Sequence, residues 1–127
     1  MAKSKGQIEA EISEAIIKFE KEYMGRGPDE TKTYYLDDIV MVRLQRVLTP
    51  AEKQLAKTND GTKGRGLVKQ VRTELLEKAR PMLEAAITGI ICRKVISLHT
   101  DISTVTGERI IVFTLEKSLL HDNTEPE

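Results

Sequence analysis

The chain has 127 residues, the size of one domain able to bury its own core, and its 20 lysines and arginines cancel its 20 aspartates and glutamates. That balance removes the electrostatic footprint of a nucleic-acid binder and any drive to adsorb on an anionic bilayer, so neither nucleic acid nor direct membrane insertion is expected. The single Cys92 excludes an internal disulfide, and no apolar run approaches the about 20 residues that a spanning helix needs.

Ser4 and Gln7 form a capping box, and Ile8, Ile12, Ala15, Ile16, Phe19 and Tyr23 then recur at three- and four-residue steps, which predicts a helix with one buried stripe ending near Met24. Gly25 stands where a left-handed cap belongs, and Pro28 prevents continuation. Lys32 to Leu36 and Ile39 to Leu48 are rich in β-branched, aromatic and aliphatic residues around Asp37-Asp38, which predicts a β-hairpin. Alternation puts Val40, Val42, Leu44 and Leu48 on one face of its second strand and Arg43 on the other.

Thr49-Pro50-Ala51-Glu52 joins an N-cap, a first-turn proline and a box-closing glutamate, so a short helix should run to about Lys57. Thr58 to Gly64 reads as a turn. From Leu67 to Ile90 helical spacing returns through a long segment, with a kink or a join between two helices expected near Arg80 because Pro81 deletes a hydrogen bond. Lys94 to Ile102 and Arg109 to Leu115 form a second hairpin through Thr106-Gly107. The fold class is therefore α+β, in the order α-ββ-α-α-ββ, with a mostly antiparallel four-stranded sheet built from two β-hairpins and helices on one face. Residues 1–6 are expected to form a flexible N-terminus, 7–117 one domain, and 118–127 a fraying acidic tail.

Glycine tolerates positive φ and close backbone approach, so Gly25-Arg26-Gly27 and Lys63-Gly64-Arg65-Gly66 are candidate contact points for an anion or a partner. The second leads into a helix that adds Lys69 and Arg72, although Leu67 stands where a phosphate-binding loop requires lysine. The plainer reading carries more weight at each: a solvated connector at the second, and at the first a helix cap whose arginine is merely exposed. On the strand from Val95, alternation places Ser97, His99 and Asp101 on one face and Ile96, Leu98, Thr100 and Ile102 on the other. Asp101 could orient His99, or the two could share a metal, but a metal needs a third ligand and His121 lies in the tail; no metal site, catalytic residue or cofactor is assigned. Cys92 reads as a buried, inert thiol at an apolar join.

Three blocks together resemble one family of short bacterial proteins: Phe19 to Pro28; Leu48-Thr49-Pro50-Ala51-Glu52 with Leu55 to Thr58; and Leu98 to Thr104 followed by Thr106-Gly107-Glu108-Arg109 and Val112 to Leu115. The likeness spans about Gln7 to Glu116 and is to the family named for the MpsC component of a Na+-translocating, membrane-potential-generating system. The resemblance implies a soluble accessory or regulatory protein linked to membrane subunits that support cation-coupled inorganic carbon uptake. It supplies no catalytic residues; matching positions are Gly25, Arg26, Gly27, Pro28, His99, Asp101 and Gly107.

The favoured expectation is a non-enzymatic cytoplasmic module that binds a membrane-protein partner or a copy of itself, the lone cysteine and the absence of an apolar signal core in Met1 to Lys5 pointing to a reducing compartment. The alternative is a small-anion or nucleotide sensor using Arg26, Arg65, Lys69 and His99. Unpaired strand edges and an apolar-striped helix on so small a domain also predict a homodimer, by sheet extension or helix packing.

Overall fold

The computed structural model describes residues 3–57 and 63–117; of the turn expected at Thr58 to Gly64, residues 58–62 lie outside the described residues, as does the tail at 118–127, while Lys63 and Gly64 are helical. Helix α1 spans Lys5–Met24, and strands β1 (Glu30–Leu36) and β2 (Ile39–Gln45) form the first hairpin. Helices α2 (Pro50–Ala56) and α3 (Lys63–Ile91) follow, and β3 (Val95–Ile102) with β4 (Arg109–Leu115) closes the chain. The strands make one antiparallel sheet in the order β1-β2-β4-β3. Element order and class are as the periodicities predict.

Local chemistry accounts for the boundaries. The Ser4–Gln7 capping box starts α1 at Lys5, inside the segment assigned above to the flexible N-terminus, and Gly25 ends the helix at φ 85°. The Thr49–Glu52 box and Pro50 start α2. Asp37 takes φ 55° in the two-residue turn of the first hairpin, and Gly107 takes φ 78° in the turn of the second. There the Val47 N–H donates to the Gly107 carbonyl at 2.9 Å, and a Cβ on residue 107 would lie 3.3 Å from the Arg46 Cα. The loop after β2 thus packs directly against a glycine.

Helices cover one face of the sheet. Val40, Val42, Leu44, Ile111 and Phe113 face Ile12, Ile16 and Phe19 of α1 and Val68, Leu76, Leu83 and Ile87 of α3, all buried in one cluster. Each such side chain contributes about 1.5–3 kcal/mol by leaving water. Helix α3 is one helix through Pro81, so of the expected kink or join the join is absent: Pro81 lies on the exposed side, while Ala79 and Leu83 are buried on the other.

Three further expectations fail for identifiable reasons. Strand β2 ends at Gln45 rather than Leu48, because Arg46 adopts φ 55° and turns the chain. The register shifts between Val95 and Ser97, and this bulge turns Ile96 outward to 59% exposure instead of leaving it beside Leu98. Cys92 is exposed, since it takes the left-handed position after α3 (φ 65°) with its N–H bonded to the Thr88 carbonyl at 2.7 Å.

Candidate functional site

The two Gly-Arg-Gly tripeptides do not form one site. Gly25-Arg26-Gly27 is the turn after α1, where Arg26 donates to the Arg46 carbonyl and pairs with Asp29 at 2.6 Å. Asp29 in turn takes Arg46 Nε at 2.8 Å, and these bonds, that of Arg46 first, hold its carboxyl below the ordinary carboxylate range. Arg26 is therefore a staple that holds Arg46 in its left-handed conformation rather than an open contact. Gly64-Arg65-Gly66 lies inside the first turn of α3, not in a loop, and Gly64 is buried. Helical geometry there orders the backbone and projects Arg65 sideways.

What Arg65 projects into is a cleft of about 470 Å³ at the end of the sheet, between α2, the start of α3 and the β3–β4 turn. Arg46, Lys53, Lys57 and Arg65 line it together with Leu48, Ala56 and residues Thr104 to Gly107. Four cations thus converge on one hollow. Arg46 is engaged by Asp29, while Lys53, Lys57 and Arg65 have no ion-pair partner among the described residues. Converging ammonium and guanidinium groups next to apolar walls suit a carboxylate- or phosphate-bearing partner.

Beneath the cleft lies a buried network that the sequence reading missed. Arg72 is 1% exposed and grips Glu52 with two bonds (Nε to Oε2 2.9 Å, Nη2 to Oε1 2.8 Å), Glu20 with a third (3.1 Å) and the Val47 carbonyl with a fourth (2.9 Å). Arg109 stands 4.0 Å from the other Glu20 oxygen, and Arg109 Nη1 and Glu20 Oε2 have no hydrogen bond. Burial pushes the Glu20 carboxyl above its ordinary value despite the attraction of Arg109 and Arg72. For Glu52, burial is likewise the largest influence and acts upward, but the bonds from Arg72 and Thr49 outweigh it and the carboxyl sits low. Burial pushes Arg109 down.

This network positions the cleft. Helix α2 contains no buried residue, so little apolar area holds it, whereas Glu52 fixes it to α3 through Arg72. One turn of α2 thus turns Glu52 inward and presents Lys53 and Lys57 to the hollow. A signal was present in the sequence: Glu20 continues the Ile12, Ile16 series, Arg72 lies between Val68 and Leu76, and Arg109 opens the alternation Ile111, Phe113, Leu115. Charged residues on buried periodicities mark an internal network.

The strand residues form no site together. Ser97 Oγ and His99 Nε2 are 3.2 Å apart, but Asp101 turns away, accepting from the Ile102 N–H at 2.8 Å and pairing with Lys69 at 3.2 Å. Those two bonds, the backbone one first, hold its carboxyl low. Asp101 therefore does not orient His99, and Lys69, expected beside Arg65, is engaged at the edge of β3.

Two similar proteins of Bacillus subtilis (strain 168) carry names that state no function. Uncharacterized protein YbcI is 45% identical over 115 residues, covering 91% of this chain and 90% of that protein. Uncharacterized protein YrhF is 26% identical over 113 residues, covering 86% and 88%. No solved structure gives a significant match. The MpsC family model, described as Na+-translocating membrane potential-generating system, matches residues 4–117. With nearly all of its described residues inside that match, the chain belongs to the MpsC family.

Proposed function

We propose that the chain is a non-enzymatic, cytoplasmic accessory or regulatory module of a Na+-translocating membrane system, acting with membrane subunits that support inorganic carbon uptake. The family match over residues 4–117 supports the association, and no helix among the described residues is long and apolar enough to cross a membrane. The observation that carries the mode of action is the cleft: Lys53, Lys57 and Arg65 converge beside Leu48 and Ala56 without ion-pair partners among the described residues. An acidic cytoplasmic segment of a membrane subunit is the partner this chemistry fits, with the cations setting register and encounter rate.

The test is affinity capture from detergent-solubilised membranes of the host, with identification of the retained subunits by mass spectrometry. Wild type retains an integral subunit of a cation-translocating complex and K53E/K57E/R65E does not. Equal capture by both removes the cleft from the reading, and no such subunit in either removes the reading itself.

The same convergence favours a second reading, a small-anion or nucleotide sensor. A thermal-shift series with phosphate, bicarbonate and nucleotides separates the two, because a ligand at a hundred times its dissociation constant stabilises by about 2.7 kcal/mol. Flat melting curves with every anion exclude the sensor and leave the docking role standing.

A further inference from the structure

Glu20 is the buried titratable group beneath the cleft, and its two oxygens are held unequally. Oε1 accepts from Arg72 Nη1 at 3.1 Å, while Oε2 stands 4.0 Å from Arg109 Nη1 and has no hydrogen bond, in a side chain that is 0% exposed. Glu52 is better served: Arg72 binds both of its oxygens, and the Thr49 N–H donates to Oε1 at 2.8 Å. A buried carboxylate oxygen without a donor is the costliest of the four to keep charged, so the first proton that the network takes up goes to Glu20 Oε2. Burial, the largest influence on that carboxyl, pushes the same way.

Three walls of the cleft are tied to this network. Through Glu52, Arg72 holds α2, the helix that presents Lys53 and Lys57. Arg72 also holds the Val47 carbonyl, between the lining residues Arg46 and Leu48, at 2.9 Å, and Arg109 follows two residues after Gly107 of the β3–β4 turn. The charged groups facing Glu20 are Arg72 from α3, Arg109 from β4 and Glu52 from α2, with the Lys69–Asp101 pair further out beside Arg109. Lys21 and Glu22 of its own helix are exposed, and Glu30, Lys32 and Arg43 of the first hairpin line a hollow on the other face of the sheet. With Glu20 ionised, two carboxylates face two guanidinium groups; with Glu20 neutral, Glu52 faces both alone and the floor of the cleft gains one positive charge. Arg72 keeps both bonds to Glu52 in either state, so α2 stays in place and the change is one of charge rather than shape.

On the reading of the cleft as a docking site for an acidic segment, we propose that docking is linked to proton uptake by Glu20, so that the cleft holds its anionic partner more tightly as pH falls. The sign follows from reciprocity. Carboxylates arriving over Lys53, Lys57 and Arg65 disfavour a negative charge on Glu20 and so raise its affinity for a proton, and a proton on Glu20 favours the partner by the same factor. The low dielectric around the buried network carries this coupling farther than water would. The chain is then a pH-dependent docking module, engaging its subunit in acid and releasing it as pH rises.

The probe is pyrenetetrasulfonate, whose sulfonates stay ionised throughout, titrated into the whole chain by fluorescence and calorimetry from about pH 5 to about pH 8, with far-UV circular dichroism to show that each protein is folded. Wild type binds about fivefold or more tightly at the acid end, and calorimetry in buffers of different ionisation enthalpy shows net proton uptake on binding. E20Q, which fixes the neutral form, binds as tightly at the basic end as at the acid end, while H99Q/H121Q, which removes both histidines of the chain, keeps the wild-type slope. K53E/K57E/R65E does not bind. Wild-type binding that ignores pH and takes up no proton, a slope that survives in E20Q, or one that vanishes in H99Q/H121Q overturns the linkage and leaves the cleft standing as the site. No binding by wild type at any pH, or equal binding by K53E/K57E/R65E, removes the cleft reading and the linkage with it. Were E20Q unfolded, proton uptake by wild type and H99Q/H121Q would decide alone.

Discussion

Two groups of charged residues lie on opposite sides of α2 and obey opposite rules. The inner group, Glu20, Glu52, Arg72 and Arg109, is shut away from water except at Glu52, has equal numbers of acids and bases and is tied together by ion pairs. The outer group, Lys53, Lys57 and Arg65, faces an open cleft and is balanced by no described carboxylate. The difference teaches that charge in this protein has two uses separated by one turn of helix. Inside, removing a member strands its partners in a low-dielectric setting; outside, removing one only frees a side chain to water.

The largest effect should therefore come from the inside. Arg72→Ala leaves Glu20 and Glu52 without their shared partner and should cost about 3–5 kcal/mol in chemical denaturation. A loss below about 1 kcal/mol would mean that the quartet is not the anchor of α2 and would erase the distinction drawn here.

Next come the two glycines at positive φ, Gly107 in the wall of the cleft and Gly25 at the end of α1. Gly107→Ala meets both a positive φ and the Arg46 backbone 3.3 Å away, whereas Gly25→Ala meets a positive φ with nothing within 4 Å. Gly25→Ala should cost about 1 kcal/mol by strain alone, and Gly107→Ala more than that, because the backbone it meets has no rotamer by which to yield. Equal losses would show that the close approach at Arg46 is not felt.

The inner group also predicts a pH signature with two signs. Glu52, held low, supplies stability that is present above its ordinary value of 4.5 and lost as pH falls below it. Glu20, raised from 4.5, supplies stability that is complete below that value and lost as pH rises through its folded value. Unfolding measured across this range should show a shallower acid limb in E52Q, and in E20Q a smaller loss on the rising side. Parallel profiles for all three proteins would contradict the assignment.

The smallest stability effect belongs outside. K53E/K57E should leave the unfolding midpoint nearly unchanged while still reducing capture of the membrane partner, since exposed lysines contribute little to folding but set encounter. A large drop in midpoint would move these lysines into the structural group.

Much of the fold was legible because its signals are local. The Ser4–Gln7 and Thr49–Glu52 boxes, the Asp37-Asp38 turn, Gly25 and Gly107 act within a few residues, and the alternation of Val40, Val42 and Leu44 needs only one strand. The tripeptides were harder. Gly-Arg-Gly reads identically at 25–27 and 64–66, yet Gly25 terminates a helix at φ 85° while Gly64 and Gly66 sit within one, because α3 starts two residues before Arg65. Arg26 then meets Asp29 and Arg46, and Arg65 meets the cleft.

By itself, then, the sequence determined the elements, their order and the family, since periodicity, capping and turn chemistry depend on neighbours along the chain. Only the tertiary structure decided which charges are partners. Glu20 and Arg72 are 52 residues apart, Arg43 and Glu108 are 65 apart, and the cleft draws cations from β2's end, α2 and α3. Such pairings depend on how helices and strands stack across the core. No spacing along the chain encodes that distance, because Coulomb attraction and burial act through space.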